Sequence, residues 1–163
     1  MTRLFVAAWP TAAVSERLAD MPRPSEPGVR WVPPGNRHIT LRFIGDGDRD
    51  EITDRLAAAT LPRVTATLGP AVELLGRRLL VIPVDGLDPL AAAIGAATSG
   101  IGQEEQRRFR GHLTIARLAG GARPSLTGHR LHDEFEITEI ALVASGLHAD
   151  GATYTTLDRF ATM

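Results

Sequence analysis

The chain switches repeatedly between two-residue and helical periodicity. Residues 3–8 alternate as a strand. Thr11 to Met21, started after Pro10, sets Val14, Leu18 and Met21 on one helical face. A Pro- and Gly-rich stretch at 22–28 reads as loop, and Val29–Val32 as a short strand stopped by Pro33-Pro34. Arg37–Ile44 is a strand, 45–48 a turn, and Arg49 to Thr60 a helix with Ile52 and Leu56 inward. Residues 63–84 read as strands interrupted by Gly69-Pro70 and Gly76. Asp88 as cap and Pro89 at N1 open a third helix, Leu90 to about Ser99, ended by Gly100. Phe109–Leu118 is a strand, 120–124 a loop and 125–132 a helical turn. Glu134–Leu147 reads as one long strand, paired with Thr153–Phe160 through an Asp150-Gly151 turn.

Two of these strands carry the same pattern. His38-Ile39-Thr40-Leu41-Arg42-Phe43-Ile44 and His112-Leu113-Thr114-Ile115-Ala116-Arg117-Leu118 both read His-φ-Thr-φ-x-x-φ, with φ aliphatic. Residues i and i+2 of a strand share a face. Each copy therefore presents His and Thr on one side and buries aliphatics on the other. His-x-Thr alone is expected by chance about 0.5 times in such a chain; the three shared aliphatics make a matched pair far rarer. Side by side, the strands offer a small anion two imidazoles and two hydroxyls: an acid, a base and two donors. The copies lie 74 residues apart (112 − 38), near half the chain, which suggests two lobes related by a pseudo-two-fold.

Composition narrows the setting. At 163 residues the chain is one domain, 1–163, built as two lobes that each supply one His-x-Thr strand. It has no Cys, so disulfides and thiolate metal sites are excluded. No apolar run is long enough for a membrane span and no signal-peptide pattern is visible, so a cytoplasmic monomer is expected. Net charge is −1, which gives no global field for nucleic acid. All 18 basic residues are Arg, and they cluster locally: Arg37 and Arg42 around the first copy, Arg107, Arg108, Arg110 and Arg117 around the second. A basic cleft on a near-neutral protein suits a small or terminal phosphate.

The chain resembles the 2H phosphoesterases, named for two His-x-Thr/Ser-x motifs. Among them it is most similar to the RNA 2',3'-cyclic phosphodiesterases, historically called 2'-5' RNA ligases. The resemblance also rests on Arg3-Leu4-Phe5-Val6-Ala7, on Arg30-Trp31-Val32-Pro33-Pro34 before Asn36-Arg37-His38, and on Ala141–Leu147 with Gly151 and Tyr154. Two positions depart: Gly111 stands where Pro usually precedes the second His, and Leu79–Val84 lacks a Trp often found there. The resemblance implies a bilobal α+β fold, antiparallel sheets with outer helices around a central cleft. It implies metal-independent opening of RNA 2',3'-cyclic phosphate ends to 2'-phosphates. His38 would be the general acid toward the 3'-oxygen and His112 the base for water, although the residues alone leave these roles interchangeable. No cofactor is implied.

Thr40 and Thr114 are the expected donors to the non-bridging oxygens. Arg117, five residues after His112, stands where the family often binds phosphate, but strict alternation turns it away, so a bend is required. Arg42 has the correct parity on the first strand. Phe43 either stacks on a base or packs in the core, and Tyr154 either borders the cleft or packs in the core. His129, His132 and His148 read as solvent-exposed. The partner is RNA with a 2',3'-cyclic phosphate end or a small cyclic nucleotide. Alternatives are a 2H phosphoesterase acting on another phosphodiester, a non-catalytic RNA-end or nucleotide-binding module, and a metal hydrolase. The last lacks any His-x-His or His-x-x-x-His pair.

Overall fold

The computed structural model describes residues 3–149 and 151–163. It is a small α+β fold with a curled antiparallel sheet and three helices. One part of the sheet runs β10 (Gly151–Ala161), β9 (Glu139–His148), β1 (Arg3–Ala8) and β3 (Ile39–Gly45). It continues through β7 (His112–Leu118), β6 (Leu79–Asp85), β4 (Val64–Leu68) and β8 (Asp133–Ile137). The short strands β2 (Val29–Trp31) and β5 (Glu73–Leu75) pair with β7 and β6. No helix among the described residues is long and apolar enough to cross a membrane.

Helix α1 (Ala12–Ala19) starts at Thr11, whose Oγ1 accepts from Val14 N, and buries Val14 and Leu18. Helix α2 (Arg49–Ala58) is capped by Asp48, which accepts from two amides of the first turn, and buries Ile52 and Leu56. Helix α3 (Asp88–Ala97) begins one residue earlier than the sequence suggests: Leu87 is the cap, without a side-chain hydrogen bond, and Asp88 sits in the first turn. There its negative charge faces the helix dipole favourably.

The predicted strand from Glu134 to Leu147 is two strands. Phe135 and Ile137 enter the main core at odd positions, and Ile140 and Leu142 at even ones, with Ala141 and Val143 buried on the other face. The phase slips at Thr138, so β8 pairs with β4 whereas β9 pairs with β1 and β10. The β9–β10 hairpin forms as expected; Asp150 of its turn lies outside the described residues.

One feature of the sheet positions the two His-x-Thr strands. β3 and β7 share a single Cα pair, Ile39 with Leu113, at the N-terminal ends of both strands. From that seam they run apart, β3 along β1 and β7 along β6. Both sides of the seam sit on one core containing Val6, Ile39, Ile44, Leu80, Ile82, Leu113 and Ile115. A smaller apolar cluster of Phe5, Ala7, Ala141 and Val143 occupies the opposite face of β1 and β9.

Candidate active site

The seam brings the two motifs together. Continuing the Ile39–Leu113 register by one residue each way sets His38 beside Thr114 and Thr40 beside His112. All four side chains are half-buried, while Ile39, Leu41, Leu113 and Ile115 between them are core. His38 precedes β3 and follows a short 3-10 turn at Pro34–Asn36.

Both imidazoles are tethered in the same way. His38 Nδ1 lies 2.9 Å from Asn36 O, and His112 Nδ1 lies 2.8 Å from Arg110 O. A carbonyl only accepts, so each Nδ1 carries a hydrogen and donates it. That leaves Nε2 on each ring free to exchange a proton: an acceptor when the ring is neutral, a donor when it is charged. Neither Nε2 has a hydrogen-bond partner among the described residues.

Their surroundings differ. The His38 ring stacks on Phe5 at a centroid separation of 5.0 Å, with Trp9 at 5.2 Å and the edge of Tyr154 at 5.0 Å. Burial against these rings pushes the His38 pKa below its ordinary value. The Asn36 carbonyl opposes the shift, and the positive charges of Arg117 and His112 add to it. Sequence reasoning did not find Phe5 or Trp9 and left Tyr154 open. Alternation along β1 puts Phe5, Ala7 and Trp9 on one face, but only the pairing with β3 shows that this face holds His38.

Matched bulges explain the arginines. The β1–β3 register steps from Ala7–Thr40 to Val6–Arg42, passing over Leu41. The β6–β7 register steps from Val81–Thr114 to Leu80–Ala116, passing over Ile115. An extra residue inverts the parity beyond it. Position five after each His therefore returns to the motif face: Phe43 on β3 and Arg117 on β7. Phe43 packs on the apolar cluster beneath His38, and Arg117 is exposed and close enough to act electrostatically on His38.

Arg42 goes the other way, contrary to its parity. It is buried, and its guanidinium donates to Thr98 O and Oγ1, to Ile101 O at 2.7 Å and to Gln103 O at 3.1 Å. It ties the end of α3 to β3 and does not face the cleft. Arg37 is likewise buried and donates to Leu18 O near the end of α1. Of the basic residues flanking the first motif, neither joins the site. His129, His132 and His148 are exposed. No group of three or more His, Asp or Glu side chains able to hold a metal ion occurs among the described residues.

The LigT-like phosphoesterase family model matches residues 9–68. The RNA 2',3'-cyclic phosphodiesterase of Thermus thermophilus is 28% identical, covering 97% of this chain and 89% of its own. The enzyme of that name from Aquifex aeolicus is 26% identical, covering 98% of this chain and 97% of its own. The crystal structure of E. coli LigT complexed with 3'-AMP superposes with a TM-score of 0.76 at 28% identity, covering 99% and 98% of the two chains. With two His-x-Thr strands meeting at one seam and relatives that match almost end to end, the chain is similar in sequence and fold to the LigT-like phosphoesterases.

Proposed function

We propose that the chain hydrolyses RNA 2',3'-cyclic phosphate ends to 2'-phosphates, without a metal, through His38 and His112. The observation that carries this reading is the shared tether: two neighbouring imidazoles, each with Nδ1 on the carbonyl two residues earlier and Nε2 left for chemistry. His112 Nε2 takes a proton from water as the oxygen attacks phosphorus. The P–O3' bond breaks, and His38 Nε2 gives its proton to the departing 3'-oxygen. Thr40 and Thr114 donate to the non-bridging oxygens, and Arg117 offsets charge that grows on them. A 5'-hydroxyl in place of water gives a 2'-5' linkage by the same steps. In this reading the chain works as one domain of two lobes, each supplying one His-x-Thr strand. The names of its relatives, and the 3'-AMP complex of E. coli LigT, support the choice of substrate.

The test follows a short RNA ending in a 2',3'-cyclic phosphate by phosphorus NMR in excess EDTA, for wild type and His112→Ala. A 2'-phosphate product, slowed about 10²- to 10⁴-fold in the variant, is the expected result. A 3'-phosphate would exchange the two histidine roles. Absence of turnover by wild type would defeat the reading.

A further inference from the structure

Arg30 stands directly across from Arg117 in the β2–β7 pairing. Its neighbours Val29 and Trp31 pack on the main core, so Arg30 points to the opposite face, the one that carries Thr114 and Arg117. Both guanidiniums are exposed, and neither has an ion-pair or hydrogen-bond partner among the described residues. Like charges opposite one another on adjacent strands repel. An anion between or beside them removes that cost.

The position of Arg30 says which anion. Along β7, the edge that meets Ile39 at Leu113 meets Trp31, Arg30 and Val29 at Ala116, Arg117 and Leu118. Arg30 is thus level with Arg117 but on the neighbouring strand, one strand farther from His112 on β7. One of its terminal nitrogens lies 3.9 Å from where a Cβ on Gly151 would sit, beside the start of β10. The next residue, Ala152, is held by Asn36 Nδ2 through its carbonyl, which fixes the hairpin over this end of the site. A polynucleotide end carries a second anionic group one nucleotide unit from the cyclic phosphate.

Resting on the function proposed above, we infer that Arg30 binds the phosphoryl group on the 5' side of the terminal nucleoside, while Arg117 serves the cyclic phosphate. Arg30 is then the residue by which the site distinguishes an RNA end from a free cyclic nucleoside phosphate. That group is an internal diester in an oligonucleotide or a terminal 5'-phosphate in a mononucleotide; its chemistry toward a guanidinium is the same.

The experiment compares kcat/KM of wild type, Arg30→Gln and Arg30→Lys on three substrates: adenosine 2',3'-cyclic phosphate, its 5'-phosphorylated form, and the adenylyl dinucleotide ending in a cyclic phosphate. Wild type should prefer the substrates carrying the 5' group. Arg30→Gln should shrink that preference about ten- to a hundredfold, the range of a lost hydrogen bond to a charged group. Arg30→Lys should restore part of it, since charge survives without the fork. The dependence of log kcat/KM on log salt for the dinucleotide should flatten by about 0.7 in Arg30→Gln. Preference for the dinucleotide alone supports the internal diester, and preference for both supports either source. An equal loss on all three substrates, or no loss on any, would overturn the assignment and leave the two-histidine reading intact. If wild type turns over none of them, both fall.

Discussion

Arg42→Met is the sharpest test of how the bulge divides labour between the faces of β3. The change keeps an unbranched apolar stem and removes every donor. Left behind are Thr98 O and Oγ1, Ile101 O and Gln103 O. Thr98 is 0% exposed, so its carbonyl cannot turn to water, whereas Gln103 lies at the surface. Each buried acceptor left unpaired costs about 1–3 kcal/mol. Relief from desolvating a guanidinium returns part of this. The Thr98 acceptors dominate, and the net loss should be about 2–4 kcal/mol. With an m-value of about 2 kcal/mol/M, the urea midpoint should fall by about 1–2 M. The assay is equilibrium unfolding by far-UV circular dichroism and by fluorescence of Trp9 and Trp31, with cyclic-phosphate hydrolysis measured on folded protein. Hydrolysis per folded molecule should stay within about threefold of wild type, because Arg42 touches no reacting group. A midpoint shift below about 0.3 M would refute the structural role. So would a hundredfold loss of kcat/KM at an unchanged midpoint, which would return Arg42 to the substrate.

The pH dependence follows from His38. Two-histidine catalysis needs one ring charged and one neutral, so kcat/KM should be bell-shaped, and burial of His38 should move the acid limb below pH 6.5 whichever ring is the acid. An acid limb at or above pH 6.5 would contradict the burial of His38. The same shift affects stability: the unfolded chain binds this proton more tightly, so stability should decline as pH falls below about 6.5, and His38→Phe should flatten that slope in urea melts at pH 5 and 7. Gly111→Ala places a Cβ 2.4 Å from Val84 O and 2.9 Å from Leu87 Cδ1. It should cost about 1–3 kcal/mol and lower kcat through His112, read from a melting curve and initial rates; unchanged values of both would contradict the packing. Thr114→Val should reduce kcat about 10- to 100-fold with little change in Tm, and an equal loss from Thr40→Val would show that both hydroxyls act on the same charge.

The histidines, the threonines and the three helices were legible because each rests on local periodicity. The division of the arginines was not. Arg42 and Arg117 exchange faces through one unpaired residue in each strand, and a bulge leaves no mark in an alternating pattern. The aromatic surround of His38 was hidden for another reason. Phe5, Trp9 and Tyr154 come from both ends of the chain and meet only through strand pairing. The break at Thr138 was readable in principle, since the large apolar side chains of the main core shift there from Phe135 and Ile137 to Ile140 and Leu142. The packing at Gly111 was not legible either: the backbone there approaches β6 so closely that a Cβ would meet Val84 O.

The single pair at the seam has a consequence for handedness. A two-fold axis passing between Ile39 and Leu113 would exchange His38 with His112 and Thr40 with Thr114, so the frame of imidazoles, hydroxyls and tethers taken alone has no inherent left or right. A phosphorus atom held there has two ester oxygens that this frame treats alike. The bulges deliver different residues to equivalent places, an aromatic ring at 43 and a cation at 117, and the aromatic walls enclose one imidazole only. Polarity of the reaction is therefore written outside the repeated motif. A chain could keep both motifs unchanged and still reverse which bond it breaks, by exchanging what stands at position five and what surrounds each ring.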